Sequence, residues 1–113
     1  MSDLINKWLY DIIESITSID DYIGEKKYFE AYEKNKQLRR SIEREIEIIG
    51  EAVNRIKKEN PDLQIKNSYQ IIATRNRVIH AYDAVNNAII WGIVINHLPL
   101  LKMEIQQLLE SNL

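Results

Sequence analysis

Isoleucine, leucine and valine recur along this chain at alternating steps of four and three residues. The clearest stretch consists of Ile42, Ile46, Ile49, Val53 and Ile56. Such steps keep side chains on one face of an α-helix, because the helix turns once in about 3.6 residues. The pattern is typical of a helix that lies along another helix. The chain is therefore predicted to be an all-α bundle.

A second stripe of the same kind opens the chain and predicts a helix from Asp3 to about Ile23. Ser2 or Asp3 is suited to cap its start, and Gly24 is suited to end it. The apolar positions of this stripe are Ile5, Leu9, Ile12, Ile16, Ile19 and Ile23.

Composition supports an all-α fold and narrows the function classes. Three glycines and two prolines in 113 residues are too few for a strand-and-turn architecture or a disordered linker. The length suits one domain, residues 1–113. The absence of cysteine excludes disulfides and thiolate metal sites, and a net charge of −2 argues against a protein that coats nucleic acid generally.

No membrane segment or signal peptide is expected. The longest strongly apolar run, Ala88 to Ile95, is too short to span a bilayer, and no basic stretch leads into an apolar one at the N-terminus. The expected location is therefore cytoplasmic.

The middle of the chain predicts one long helix from about Lys26 to Glu59, ended by the Asn60-Pro61 pair. Gly50 lies inside it, where glycine lowers helix stability by roughly 1 kcal/mol relative to alanine, which suggests that another backbone passes close by. After a loop, Asn67 or Ser68 is predicted to cap a further helix that ends near residues 80–83.

The last part predicts two helices. Asn86 opens one that is apolar almost all round, as expected in the middle of a bundle, and Pro99 breaks it and begins a last helix. The prediction is four main helices plus a short additional C-terminal helix.

The segment after residue 70 carries the chemistry-bearing residues. Arg75 lies four positions from both Ile71 and Ile79, on a face where an apolar residue would pack best. An arginine is seldom buried without a partner, because its charge cannot be neutralised by a pKa shift. His80 and Tyr82 follow, which gives the arrangement R-x4-H-x-Y.

This segment, RNRVIHAY, resembles the HepT-like branch of the HEPN superfamily when it is taken with two flanking blocks. These are IEREIEIIGEA (Ile42 to Ala52) and, downstream, Trp91, Leu98, Pro99 and Leu101. The resemblance runs roughly from Ile12 to Leu109 and implies a HEPN-type four-helix up-and-down bundle. Ala81 stands where that branch often has glycine, and Asp83 where an aromatic residue often follows.

The resemblance implies a metal-independent endoribonuclease without a cofactor. Arg75 would stabilise charge on the phosphate and His80 would move protons, with RNA as the substrate. Asn76 and Arg77 would support the site. On a straight helix Arg75 and His80 are about 140° and roughly 7.5 Å apart, so the helix must end near His80 or a second chain must complete the site. The family forms its site across a homodimer.

The resemblance also implies a partner, a minimal nucleotidyltransferase antitoxin that adds AMP groups to Tyr82. Bulky anionic groups beside His80 would repel RNA. The chain would then be the toxin of a type VII-like toxin–antitoxin pair.

Other interpretations stay open from the residues themselves. Arg75 could pair with Glu47 or Glu51 in a catalytically inactive module for helical dimerisation or nucleotide binding. The row Lys36, Arg40 and Arg44 could follow a phosphate backbone or form a salt-bridged surface. A carboxylate metal site is disfavoured, because Glu-x-x-His does not occur, and His97 is interpreted as structural.

Overall fold

Six α-helices account for most of the residues that the computed structural model describes. These residues are 2–25, 27–80 and 86–111, with the backbone alone for residues 77–80. The helices are α1 Asp3–Ile23, α2 Phe29–Lys34, α3 Lys36–Glu59, α4 Tyr69–His80, α5 Asn87–Gly92 and α6 Leu98–Glu110. A 3₁₀ turn, Lys66–Ser68, precedes α4, and a π turn, Ile93–His97, joins α5 to α6. The described ranges contain no strand, and the all-α prediction is confirmed.

Helix α1 begins and ends where its sequence predicts. The Ser2 hydroxyl accepts a hydrogen bond from the Ile5 amide at 3.2 Å, which satisfies a free N–H at the helix start. Gly24 follows the last turn with φ of 72°, in the left-handed region that side chains with a Cβ disfavour.

The core lies between the apolar faces of α1, α3 and the C-terminal helices. All five members of the α3 stripe are buried, and so are five of the six in α1, with Ile23 partly buried. Helix α1 packs against α3 and α6, while α4 packs against α3. The stripes therefore predict the core correctly.

The predicted single helix from Lys26 to Glu59 is wrong, because Asn35 divides it. Asn35 has φ −106° and ψ 94°, and its side chain accepts a hydrogen bond from the Leu38 amide at 3.0 Å, so it caps α3. An asparagine side chain offers the backbone this alternative to a continuous helix. The short helix α2 then packs its Tyr32 ring against Trp91 of α5, with ring centroids 5.1 Å apart.

Asn86 caps α5 as predicted, since its side chain accepts from the Ala88 amide at 2.7 Å. Pro99 lies in the first turn of α6, as predicted, but it does not interrupt the helical chain from Asn87 to Glu110. The π turn covers the residues before it, where a proline ring crowds the carbonyl four residues earlier and a wider turn leaves room. The expected burial on all sides is also wrong, because Ile89 is 42% exposed and Ala88 is exposed.

The resulting helix, Asn87–Glu110, has 24 residues and a mean hydropathy of 1.4. By length and composition alone it could cross a membrane, which the shorter run Ala88 to Ile95 did not suggest. Its apolar residues also supply part of the bundle core. The buried ones are Ile90, Ile93, Val94, Leu98, Leu101 and Ile105.

Candidate functional site

Helices α3 and α4 form an antiparallel pair that carries the candidate site. Gly50 of α3 faces Arg75 of α4, and Val53 and Lys57 line a cleft together with Tyr69 and Ile72. As the numbers rise along one helix they fall along the other. Residues far apart in the sequence, such as those at 50 and 75, are thus brought into contact.

Arg75 lies in a groove between α3 and α4, where it is mostly enclosed but still reaches solvent. Its side chain is 20% exposed, and its Nη2 lies 3.8 Å from Oε1 of Glu51. Nη1 donates a hydrogen bond to Oδ1 of Asn76 at 3.3 Å. The Nε atom is buried and has no hydrogen-bond partner among the described residues. Of the two acidic partners that the sequence offers, Glu51 is the one that pairs with Arg75.

Gly50 is the point where the Arg75 side chain crosses α3. A Cβ at position 50 would lie 2.8 Å from Cγ, 2.9 Å from Cδ and 3.0 Å from Cβ of Arg75. These distances are shorter than carbon atoms tolerate in ordinary contact. The expectation of a close backbone is therefore wrong in its detail, because a side chain and not a main chain fills the space above Gly50.

The start of α4 is anchored from α6. The Glu104 carboxylate accepts hydrogen bonds from the backbone amides of Lys66 at 2.7 Å and Asn67 at 2.9 Å, and from the Asn67 side chain at 3.0 Å. A carboxylate here also suits the positive end of the helix dipole. The two residues predicted to cap α4 have other partners in the described structure: the Asn67 side chain donates to Glu104, and the Ser68 hydroxyl donates to the Ile65 carbonyl at 2.6 Å.

The structure describes the other motif residues to different degrees. Asn76 is exposed beside Arg75. Arg77 and His80 belong to α4, but their side chains lie outside the described part of the chain. Tyr82 and the predicted end of the helix beyond His80 also lie outside it, so the contact between Arg75 and His80 stays a prediction.

A basic row on α3 leads towards the Arg75 groove. Arg40 and Arg44 are four residues apart, and Glu51, which pairs with Arg75, follows Arg44 by seven residues. All three therefore lie along one side of the helix. Both arginines are exposed, and Arg44 forms an ion pair with Glu47 at 3.2 Å. This side of α3 is therefore partly salt-bridged, and its basic end is open to solvent.

No group of three or more histidine, aspartate or glutamate side chains within the described residues could hold a metal ion. Glu43 of α3 is half-buried. Burial raises its pKa, and the nearby Arg40 and Arg39 oppose that change. The structure gives no support for a carboxylate metal site on α3.

A cleft of about 320 Å³ lies about one helical turn away from Arg75. Its floor is apolar and includes Val53 and Ile72, three residues from Gly50 and Arg75 respectively. Asn54, Lys57 and the exposed ring of Tyr69 also line it. Polar and aromatic groups thus line a cleft close to the arginine.

Comparison with known proteins decides the family. The model of a family described as ribonuclease HepT-like matches residues 12–108. The chain belongs to the HepT-like ribonuclease family. Its all-α architecture is thereby that of a HEPN-type bundle.

Relatives cover most of this HepT-like chain. A Methanocaldococcus jannaschii protein, named a candidate RNase, is 31% identical over 111 residues, which cover 95% of this chain and 88% of the relative. A Thermococcus cleftensis protein, described as a probable ribonuclease HepT, is 31% identical over 89% of this chain and 92% of its own. A further candidate RNase, from Caldanaerobacter subterraneus subsp. tengcongensis, is 36% identical over 74% of this chain and 75% of its own. No solved structure matches.

Proposed function

We propose that this protein is a metal-independent endoribonuclease whose reacting phosphate binds at Arg75. The observation that carries the proposal is the Arg75 guanidinium, which is enclosed between α3 and α4, paired with Glu51 and still open to solvent. A guanidinium in a partly desolvated groove stabilises negative charge more strongly than one in bulk water. Membership of a ribonuclease family supports RNA as the substrate.

The proposed reaction is transfer of a phosphoryl group within the RNA strand. The 2′-oxygen forms a bond to the adjacent phosphorus while the bond from phosphorus to the 5′-oxygen breaks. One proton leaves the 2′-hydroxyl and one reaches the departing 5′-oxygen, so the products are a 2′,3′-cyclic phosphate and a free 5′-hydroxyl. His80, the histidine of the motif, is proposed to transfer these protons, because a histidine with a pKa near neutrality can both accept and donate them.

A second copy of the chain is proposed to complete the site. The rotation of about 140° between Arg75 and His80 on one helix directs their side chains apart, so two copies of α4 facing each other bring an arginine and a histidine together. Arg40, Arg44, Asn76 and Arg77 would contact the RNA backbone on either side of the cleaved bond. The exposed position of Arg40, Arg44 and Asn76 supports this assignment.

A partner protein is proposed to control the activity. A minimal nucleotidyltransferase antitoxin would add AMP to Tyr82, two residues after His80, and the added phosphates would repel RNA. The toxin assignment and this partner rest on the family alone. Co-expression with such an enzyme, followed by mass spectrometry of the peptide containing Tyr82, tests the modification. An unmodified peptide from a neutralised complex would contradict it.

One observation favours a second candidate function. The ion pair between Arg75 and Glu51 is also what a catalytically inactive dimerisation or nucleotide-binding module would use to hold two helices together. In that case replacing Arg75 would lower stability and would not change any reaction on RNA.

The experiment that separates the two functions uses single substitutions. Arg75→Ala and His80→Ala should each reduce RNA cleavage by roughly 10²-fold or more, the usual effect of losing one such group. Arg55→Ala, on an exposed part of α3, is the control and should cleave like the wild type. Wild-type cleavage by a folded Arg75→Ala protein would contradict the proposed function.

A further inference from the structure

We infer that Gly50 and Glu51 together form a seat that positions the Arg75 guanidinium, with Glu51 as a positioning residue. The inference rests on the proposed function and adds two residues to it. Neither residue reacts with RNA in this account. Both act through Arg75, the first by leaving space and the second by charge.

Gly50 supplies the space. Glycine lowers helix stability in the middle of α3, and its place in the helix needs another explanation. The three distances of 2.8, 2.9 and 3.0 Å show that even a methyl group would overlap the first three carbons of the Arg75 side chain. One of these atoms is the Arg75 Cβ, which moves only with the α4 backbone. A larger residue at 50 must therefore shift α4 or turn the arginine out of its groove.

Glu51 supplies the attraction that keeps the guanidinium in this groove. The buried Nε of Arg75 has no hydrogen-bond partner among the described residues. Hydrogen bonding by this atom therefore does not explain why the side chain lies between α3 and α4. Glu51 is the one acidic side chain that forms an ion pair with Arg75 in the described structure, and it does so at 3.8 Å. That separation exceeds a hydrogen bond, so the guanidinium keeps donors for an incoming phosphate.

The first test compares two glycine-to-alanine substitutions in helices. In Gly50→Ala the added methyl displaces Arg75, and kcat should fall by about tenfold to a hundredfold. Gly92→Ala is the matched control, because nothing lies within 4 Å of a Cβ at that position, and its kcat should be unchanged. Unchanged kcat in folded Gly50→Ala would overturn the role of Gly50.

The second test separates positioning from packing at Glu51. In Glu51→Gln the shape is kept and the charge is lost, so kcat should fall by about tenfold while KM stays the same or falls, since a negative charge near RNA is removed. Glu51→Asp, which restores the charge, should recover part of kcat. Glu59→Gln, on an exposed part of the same helix, is the control. An unchanged or higher kcat in Glu51→Gln would overturn the inference.

A readout that needs no cleavage separates failure of this inference from failure of the proposed function. The NMR signal of the Arg75 Nε–Hε group is followed while a DNA oligonucleotide, which lacks the 2′-hydroxyl, is added. The signal should respond in the wild type and should be shifted, with a weaker response, in Gly50→Ala and Glu51→Gln. If the wild type does not cleave RNA but these signals behave as stated, the seat stands and the proposed reaction fails. If cleavage depends on Arg75 but the two variants match the wild type in both readouts, the seat is wrong.

Discussion

Two buried polar atoms without a hydrogen-bond partner in the described structure differ in what surrounds them. The buried hydroxyl of Tyr32 belongs to a ring that packs against Phe29 and Trp91, and the Nε of Arg75 belongs to a side chain that reaches the surface beside an acid. Burial raises the pKa of the Tyr32 hydroxyl, and the nearby Glu43 adds to this, so the group is neutral. At Tyr32 the ring contributes to packing. At position 75 an apolar side chain would pack better than arginine, so packing does not explain the charged residue.

The substitution Tyr32→Phe tests this reading of the buried hydroxyl. Removing a buried donor that lacks a partner should leave the free energy of unfolding unchanged or raise it by up to about 1 kcal/mol, because no hydrogen bond is lost and a desolvation cost is removed. Urea unfolding is the measurement. Tyr10→Phe, at a ring that is 60% exposed, serves as the control. A loss of more than about 1 kcal/mol in Tyr32→Phe would show that the hydroxyl has a stabilising partner.

Among the elements, α4 depends on its neighbours for stability and for its position. It has 12 residues, close to the length at which isolated helices are marginal in water, and it packs mainly against α3. The backbone amides of Lys66 and Asn67, just before α4, donate hydrogen bonds to the carboxylate of Glu104 in α6, which lies 37 residues beyond Asn67 in the chain. The position of Arg75 therefore depends on α3 beside it and on α6 at its start.

Glu104→Gln should weaken this anchor. The amide keeps one acceptor oxygen but loses the charge and the second acceptor for the Lys66 and Asn67 amides, so the free energy of unfolding should fall by about 1–2 kcal/mol. Hydrogen exchange at these two amides should become faster. Glu110→Gln, exposed at the end of the same helix, is the control. Unchanged exchange at both amides would mean that the carboxylate does not hold this turn.

For the whole molecule, the sequence predicts those features that depend on neighbouring residues in one helix, namely its apolar face and its ends. The isoleucine spacing predicts the core of α1 and α3, and Gly24 and Asn86 mark helix limits through their own backbone preferences. The sequence does not reveal the break at Asn35, because an asparagine within a helical pattern can either face solvent inside a helix or cap the start of a new one. Glu104 and the contact of Gly50 with Arg75 could not be predicted, since each joins residues from different helices. The sequence did indicate that Gly50 and Arg75 needed an explanation, as each is unfavourable where it stands.

The proposed composite site also makes a prediction about assembly. A site completed by a second copy requires a homodimer, so sedimentation at micromolar concentration should give twice the monomer mass of 13.3 kDa. Mixing Arg75→Ala with His80→Ala protein, after exchange of subunits, should restore part of the activity, because one of the two sites in a mixed dimer is intact. A monomer, or a mixture as inactive as its components, would contradict the composite site.

Cleavage of a defined RNA by the purified wild-type protein in EDTA, with analysis of the new ends, tests the central claim most directly. The Arg75 and His80 mechanism predicts that cleavage continues without divalent metal and leaves 2′,3′-cyclic phosphate and 5′-hydroxyl ends. It also predicts that a 2′-deoxy substitution at the cleaved nucleotide stops the reaction, since the attacking oxygen is removed. Activity that appears only with added magnesium, or that leaves 5′-phosphate ends, would contradict the account.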